Sequence, residues 1–374
     1  MNPTKRYRVL VVDDSATARA LLRELLEQGG MAVVAEARNG EEAVELVREH
    51  RPDLVTMDLH MPVMSGLQAI EAIMHEKAVP ILVVSSETDA EMACEALDMG
   101  ALEVIAKPDL TPSQAAQFVR KARLLAGVPV ITRIKRRIMT NNVATPPLVA
   151  SKAPVEGSPF PRSAPGDAKA RPYQHVFALA SSTGGPQALA RLLPRLEATF
   201  PAPILLAQHM CDGFVEGMAQ WLSGMCHVNV KVAEEGEPLK AGHVYISPSE
   251  THLTVTPYHR VALQARTATD IYRPSCDHLL ASVAEVYGKE AIGVILTGMG
   301  RDGAAGMQKI HAKGGVGLAQ DEASSLIYGM NQEAVKLGGV HRELPLEKLA
   351  DEMQRILALT PSGYLHHLKA GLNA

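Results

Sequence analysis

The chain has 374 residues, 47% of them apolar and 21% charged, and a formal net charge of -4. This length suits two or three domains, two being the better fit, and the charge balance gives no global argument for nucleic-acid binding. No apolar run approaches the ~18 uncharged residues of a membrane span, and Cys94, Cys211, Cys226 and Cys276 form no C-x-x-C pair, which argues for buried thiols over a disulfide frame or zinc site.

The N-terminal residues, Met1 to Arg8, carry no secretory h-region or cleavage site, so a cytoplasmic protein without direct membrane insertion is expected. The first 125 residues alternate strand and helix five times. Apolar runs at 8–12, 32–36, 54–57, 81–84 and 102–105 are short and rich in β-branched residues, as buried parallel strands are. Helices are predicted at 16–28, capped by Ser15, and at 41–50. The pattern predicts an α/β, doubly wound sheet that binds ligands at the carboxyl ends of its strands. Asp13 and Asp14 follow the first strand, Asp58 the third, Ser85 the fourth and Lys107 the fifth.

Three converging carboxylates repel one another unless a hard cation neutralises them, and Mg²⁺ prefers oxygen ligands. Held by Asp14 and Asp58, with Asp13 through water, such an ion leaves Asp58 free to attack a phosphoryl group. Lys107 offsets the charge that develops, and the Ser85 hydroxyl bonds the acyl phosphate. Taken singly, an Asp after a strand is more often a helix cap and a Lys-Pro pair an exposed turn; the set together reverses that reading. The segments V-V-D-D-S, P-D-L-V-T-M-D-L-H-M-P-V-M-S-G, V-V-S-S and A-K-P resemble two-component receiver domains in order and spacing. The resemblance implies a flavodoxin-like fold over 1–126, phosphorylation of Asp58 by a chemotaxis histidine kinase, and a further metal ligand in the backbone carbonyl of His60. Ser65 stands where that family often has Asp, and Val104 where many members carry an aromatic switch residue.

Residues 127–172 lose the periodicity and read as a Pro-rich linker, with a basic run at Arg133 to Arg137 followed by Pro146, Pro147, Pro154, Pro159, Pro161 and Pro165. Ile134 interrupts the basic run, which reads as a solvated helix end. No helix-turn-helix pattern follows it, which weakens the alternative of a DNA-binding regulator.

Alternation resumes in 173–365, ahead of a C-terminal tail at 366–374. Strand-like runs lie at 176–180, 204–207, 244–246 and 292–296, helices are predicted near 186–196 and 277–287, and a hairpin over 253–264. Three strand ends are informative: A-S-S-T-G-G-P, A-Q-H-M and L-T-G-M-G-R-D-G. Ser182 on a tight turn exposes its hydroxyl, while Gly184 and Gly185 leave helix N-terminal amides, including that of Thr183, free to face an oxyanion. Serine needs a base, for which His209 is the best candidate, and Asp302 can fix the imidazole tautomer. The backbone N–H of Met299 is a second oxyanion donor. Ser181 adjoins Ser182, and chemistry alone does not separate the two. Cys211, beside His209, has no second base and reads as a bystander. His175, His243, His252 and His278 read as surface or core residues, and without H-E-x-x-H spacing nothing points to metal-dependent hydrolysis.

Together with I-Y-R-P-S and D-E-A-S-S-L-I-Y-G-M, these segments resemble the protein-glutamate methylesterases of bacterial chemotaxis, and the resemblance spans essentially the whole chain. It implies a Rossmann-like second domain with Ser182, His209 and Asp302 as nucleophile, base and orienting acid, and no cofactor there. The implied reaction is hydrolysis of glutamyl methyl esters on chemoreceptor helices, with deamidation of selected glutamines. Ser181, Ser249, Glu250 and Asn331 depart from the family's usual residues and bear on the substrate groove. A monomer is expected, with the resting receiver packed over the hydrolase cleft. The competing readings are a receiver joined to an inactive binding module, and the same esterase serving a chemotaxis-like pathway of different output.

Overall fold

The computed structural model describes residues 6–85, 90–108, 111–130, 173–267, 270–359 and 363–364. The basic run, the linker prolines from Pro146 to Pro165 and the tail at 366–374 lie outside the described residues.

The first domain is one parallel sheet in the order β2-β1-β3-β4-β5. Its strands are β1 (Arg8–Val12), β2 (Ala32–Ala37), β3 (Leu54–Met57), β4 (Ile81–Ser85) and β5 (Glu103–Ala106). Helices α1 (Ala16–Gln28), α2 (Gly40–His50), α3 (Gly66–Glu76), α4 (Ala90–Met99) and α5 (Pro112–Leu125) connect and flank them. Side-chain oxygens start three of these helices: Ser15 accepts from the Ala18 N–H, Asn39 from Glu42, and Ser65 forms a capping box with Gln68. Each such cap is worth ~1 kcal/mol, so Ser65 supplies locally what an Asp at that position would. Ser85 is the last residue of β4 and not the first beyond it.

The second domain is a seven-stranded parallel sheet, ordered β14-β13-β12-β6-β7-β9-β8. Its strands are β6 (Val176–Ser181), β7 (Ile204–Gln208), β8 (Asn229–Val232), β9 (His243–Ile246), β12 (Ala291–Ile295), β13 (Val316–Gln320) and β14 (Arg342–Leu344). The predicted hairpin is β10 (Thr251–Val255) against β11 (Val261–Ala265), a separate antiparallel pair. The helices are α6 (Gly185–Leu192), α7 (Val215–Met225), α8 (Cys276–Tyr287), α9 (Ala304–Ala312), α10 (Met330–Lys336) and α11 (Leu346–Leu357).

Side chains of the central strands alternate between two cores. Leu179, Leu206 and Val294 enter one; Ala180, Leu205 and Ile295 enter the other. Burial of both faces explains why these strands read as continuous apolar runs, each large side chain contributing ~1.5–3 kcal/mol. Strand order reverses direction between β6 and β12, the kind of point at which sheets of this type place ligands at their carboxyl ends.

The domains touch. Phe214 is buried in a hydrophobic cluster with receiver residues, Cys94 of α4 packs into the core of the second domain, and α4 lies against α7. Among the described residues no helix is long and apolar enough to cross a membrane.

Candidate active site

Three neighbouring strand ends deliver the site. Ser182 follows β6, His209 follows β7, and Asp302 lies in the loop after β12. The Ser182 N–H donates to the Thr297 carbonyl at 3.0 Å, and the His209 N–H to the Ser181 carbonyl at 3.0 Å, which locks the first two strand ends together. Gln208 stiffens the same corner. Its amide donates to the carbonyls of Ser182 (2.9 Å) and His209 (2.8 Å) and accepts from Ser181 Oγ at 2.6 Å. A Cβ on Gly185 would lie 2.0 Å from Gln208 Oε1, so only glycine permits this closure, and Gly184 takes a left-handed φ of +79° to start α6.

The two adjacent serines differ in environment. Ser181 is fully buried with its hydroxyl committed to Gln208, whereas Ser182 follows the strand at the turn and keeps 6% exposure, less open than the sequence predicts because the neighbouring strand-end loops close over it. Thr183 is buried, and its Oγ1 has no partner among the described residues. The N–H groups of Thr183 and Met299 donate to no carbonyl among the described residues, which leaves both available to an anionic oxygen.

His209 Nε2 and Asp302 Oδ2 are 2.7 Å apart. Asp302 also accepts from Ser275 Oγ (3.1 Å), the Cys276 N–H (2.6 Å) and the Asp277 N–H (3.0 Å), so the N-terminus of α8 cradles a carboxylate. Burial alone would raise its pKa; the His209 hydrogen bond and charge, with the two backbone donors, outweigh this and hold it below the ordinary value. Tyr272 stacks on the His209 ring, with centroids 5.1 Å apart and planes within 10°. With Nε2 committed to Asp302, Nδ1 is the ring nitrogen left for a serine. No hydrogen bond joins Ser182 Oγ to His209 among the described residues, a contact that such sites commonly tighten only around substrate.

In the receiver, Asp13, Asp14 and Asp58 each bring an oxygen within 4.8 Å of the others, a donor set that fits a hard divalent ion. Lys107 Nζ stands 2.9 Å from Asp13 Oδ2 and 3.1 Å from Asp58 Oδ2. Burial raises the pKa of Asp58, and Asp13 adds to this, against the opposing pull of Lys107 and the Leu59 N–H. Ser85 is buried at the end of the neighbouring strand, and His60 follows Asp58 in the exposed loop.

Sequence reasoning missed Tyr272, Ser275, Cys276 and Gln208 as parts of the hydrolase site. The segment I-Y-R-P-S carried the only signal for the first two. His252 is buried beside the site, between Asp270 (3.0 Å) and the Ser275 N–H (2.9 Å), consistent with a core residue.

A phosphoacceptor-like sheet coupled to a hydrolase-like sheet defines a response regulator with an enzymatic output domain. The CheB methylesterase model matches residues 177–353, and the response regulator receiver domain model matches residues 9–117. "Protein-glutamate methylesterase/protein-glutamine glutaminase 3" of Paramagnetospirillum magneticum is 51% identical over 94% of this chain and 96% of its own. A Myxococcus xanthus protein of the same title, numbered 4, is 44% identical over 92% of this chain and 96% of its own. The crystal structure of the Thermotoga maritima CheB methylesterase catalytic domain is 36% identical, covering 48% of this chain and 96% of that one, with a TM-score of 0.46. The chain belongs to the CheB methylesterase family and carries that family's receiver domain.

Proposed function

We propose that Ser182, His209 and Asp302 are the nucleophile, base and orienting acid of a receiver-controlled protein-glutamate methylesterase and protein-glutamine glutaminase. Ser182 Oγ attacks the glutamyl ester carbonyl as its proton passes to His209 Nδ1. The N–H groups of Thr183 and Met299 receive the oxyanion. The imidazolium then protonates the departing methoxide, methanol leaves, and water hydrolyses the acyl-enzyme by the reverse proton route. A glutamine side chain follows the same path and releases ammonia. The observation that carries this reading is the 2.7 Å bond between His209 and a carboxylate already held by the α8 N-terminus. A binding module has no use for such an oriented imidazole.

In the receiver, Asp13, Asp14, Asp58 and the His60 carbonyl would hold Mg²⁺, which supplies positive charge to a transferring phosphoryl group when bound. Asp58 is the phosphoacceptor, with Lys107 and Ser85 contacting the acyl phosphate. The donor is a chemotaxis histidine kinase, the substrates are chemoreceptor cytoplasmic helices, and the protein acts in the cytoplasm. The functional units are 1–126, the 127–172 tether, the 173–365 hydrolase and a short tail. Receiver packing against α6 and α7 supports autoinhibition: Val104 and Leu97 share a crevice with Gly184, Pro186 and His209. Methanol release from methylated receptor tests the whole reading. The intact chain should turn over faster with a small phosphodonor, and a Ser182→Ala chain that still folds but releases methanol at the parent rate would refute it.

A further inference from the structure

Cys276 is a buried nucleophilic side chain that ester hydrolysis does not use. It opens α8, and its Sγ lies 3.5 Å from His209 Nε2 and 3.5 Å from the Ala207 carbonyl oxygen. One ligand atom from each of His209, Cys276 and Asp302 falls within 4.8 Å of the others. We propose that these three residues form an inhibitory site for a borderline-soft divalent ion of the Zn²⁺ class. A tetrahedral ion about 2.3 Å from sulfur and about 2.0 Å from nitrogen holds those two atoms about 3.5 Å apart. The observed nitrogen–sulfur separation is 3.5 Å, so these two ligands are already spaced for the ion. The nitrogen–oxygen pair, at 2.7 Å, has to open by roughly half an ångström, which breaks the hydrogen bond that orients the imidazole.

The donor set sorts the ions. Imidazole and thiolate favour Zn²⁺ over Mg²⁺, which the all-oxygen receiver cluster favours instead. Without an ion, burial first and then the charges of Asp302 and Asp277 hold the thiol protonated, so it does not compete with Ser182 as a nucleophile. On binding, the thiol proton leaves to solvent and the Nε2 proton is replaced by one on Nδ1. An imidazole protonated at Nδ1 cannot accept the Ser182 proton, and turnover stops. Only this inhibitory consequence rests on the proposed catalytic roles; ion binding stands apart from them.

The test uses the intact chain, stripped of metal, with Zn²⁺ titrated against methanol release and Co²⁺ added as a spectroscopic probe. Zn²⁺ should inhibit the parent, and excess chelator should restore it. Measured against each variant's own ion-free rate, Cys276→Ala and Cys276→Ser should need about tenfold or more Zn²⁺ for half inhibition. Co²⁺ should give a thiolate charge-transfer band in the parent and in Ser182→Ala, lost in Cys276→Ala. The band should also vanish in His209→Gln, where the cysteine is intact, so the site remains testable if both cysteine variants fail to fold. Equal Zn²⁺ sensitivity of parent and a folded Cys276 variant, or no thiolate band in the parent, would overturn the proposal. A Ser182→Ala chain that shows the band and still releases methanol would refute the catalytic assignment and leave the metal site standing.

Discussion

The side-chain amide of Gln187, in the first turns of α6, donates to the receiver carbonyls of Ala101 (2.7 Å) and Leu102 (3.2 Å). The helix that begins at the Ser182 turn is thus tied directly to the entrance of β5, whose far end carries Lys107. Any rearrangement of β5 on phosphorylation has a mechanical route to the hydrolase.

Replacing Gln187 by alanine should therefore loosen the resting arrangement. A hydrogen bond is worth ~1 kcal/mol net, which corresponds to about fivefold higher esterase turnover without phosphodonor. Under the proposed autoinhibition, phosphorylation releases this contact, so the stimulated rate should stay at the parent value. Steady-state methanol release with and without a small phosphodonor reads both quantities; an unchanged basal rate would show that this contact does not restrain the cleft.

Asp302 accepts four hydrogen bonds, from His209, Ser275, Cys276 and Asp277. Asn at this position turns an acceptor into a donor facing N–H groups and favours the wrong imidazole tautomer. The expected loss in kcat is about four orders of magnitude, with KM little changed. The sign of its pH effect follows from its lowered pKa. Asp302 stabilises the fold above the ordinary carboxylate range near ~3.9, and this is lost as pH falls through the lower folded value. The melting-temperature deficit of Asp302→Asn relative to the parent should accordingly shrink in strong acid.

The adjacent serines give a sharp contrast. Ser181→Ala removes a buried donor from Gln208 Oε1, at a cost of ~1–3 kcal/mol in stability, with turnover retained within about tenfold. Ser182→Ala should leave the melting temperature nearly unchanged and lower turnover at least ~10³-fold. Reversal of this pattern would move the nucleophile to Ser181.

Much of this architecture was legible because parallel strands buried on both faces leave uninterrupted apolar runs, and functional residues gather where those runs stop. β1 and β3 match their predicted bounds, and α1 does as well. The strands that sequence reasoning passed over have weak signals for physical reasons. β14 has only three residues, and β8 is an edge strand with alternating polar side chains. β13 contains a glycine, because a Cβ on Gly317 would lie 2.0 Å from the Gly339 carbonyl oxygen. Proximity in sequence is no guide to which thiol meets the imidazole, and Cys211 reads as a bystander. It lies two residues from His209, whereas the thiol that touches the imidazole is Cys276, separated from it by 67 positions.

The receiver carboxylate behaves oppositely to Asp302. Burial raises the pKa of Asp58 above its ordinary 3.8, so the fold prefers the protonated form. Below the unfolded pKa that preference contributes fully; as pH rises through the folded value the contribution is lost, and at neutral pH a charged, buried Asp58 weakens the receiver. Asp58→Asn removes the charge. Its melting temperature should exceed the parent's at neutral pH, and the excess should vanish as the pH is lowered below about 3.8. Mg²⁺ should narrow the gap from the other side, by raising the parent's melting temperature and leaving Asp58→Asn nearly unmoved. Thermal melts across pH, with and without Mg²⁺, check both limbs. A variant less stable than the parent at pH 7 without Mg²⁺ would mean that the Lys107 ion pairs, at 2.9 and 3.1 Å, outweigh the burial of the carboxylates.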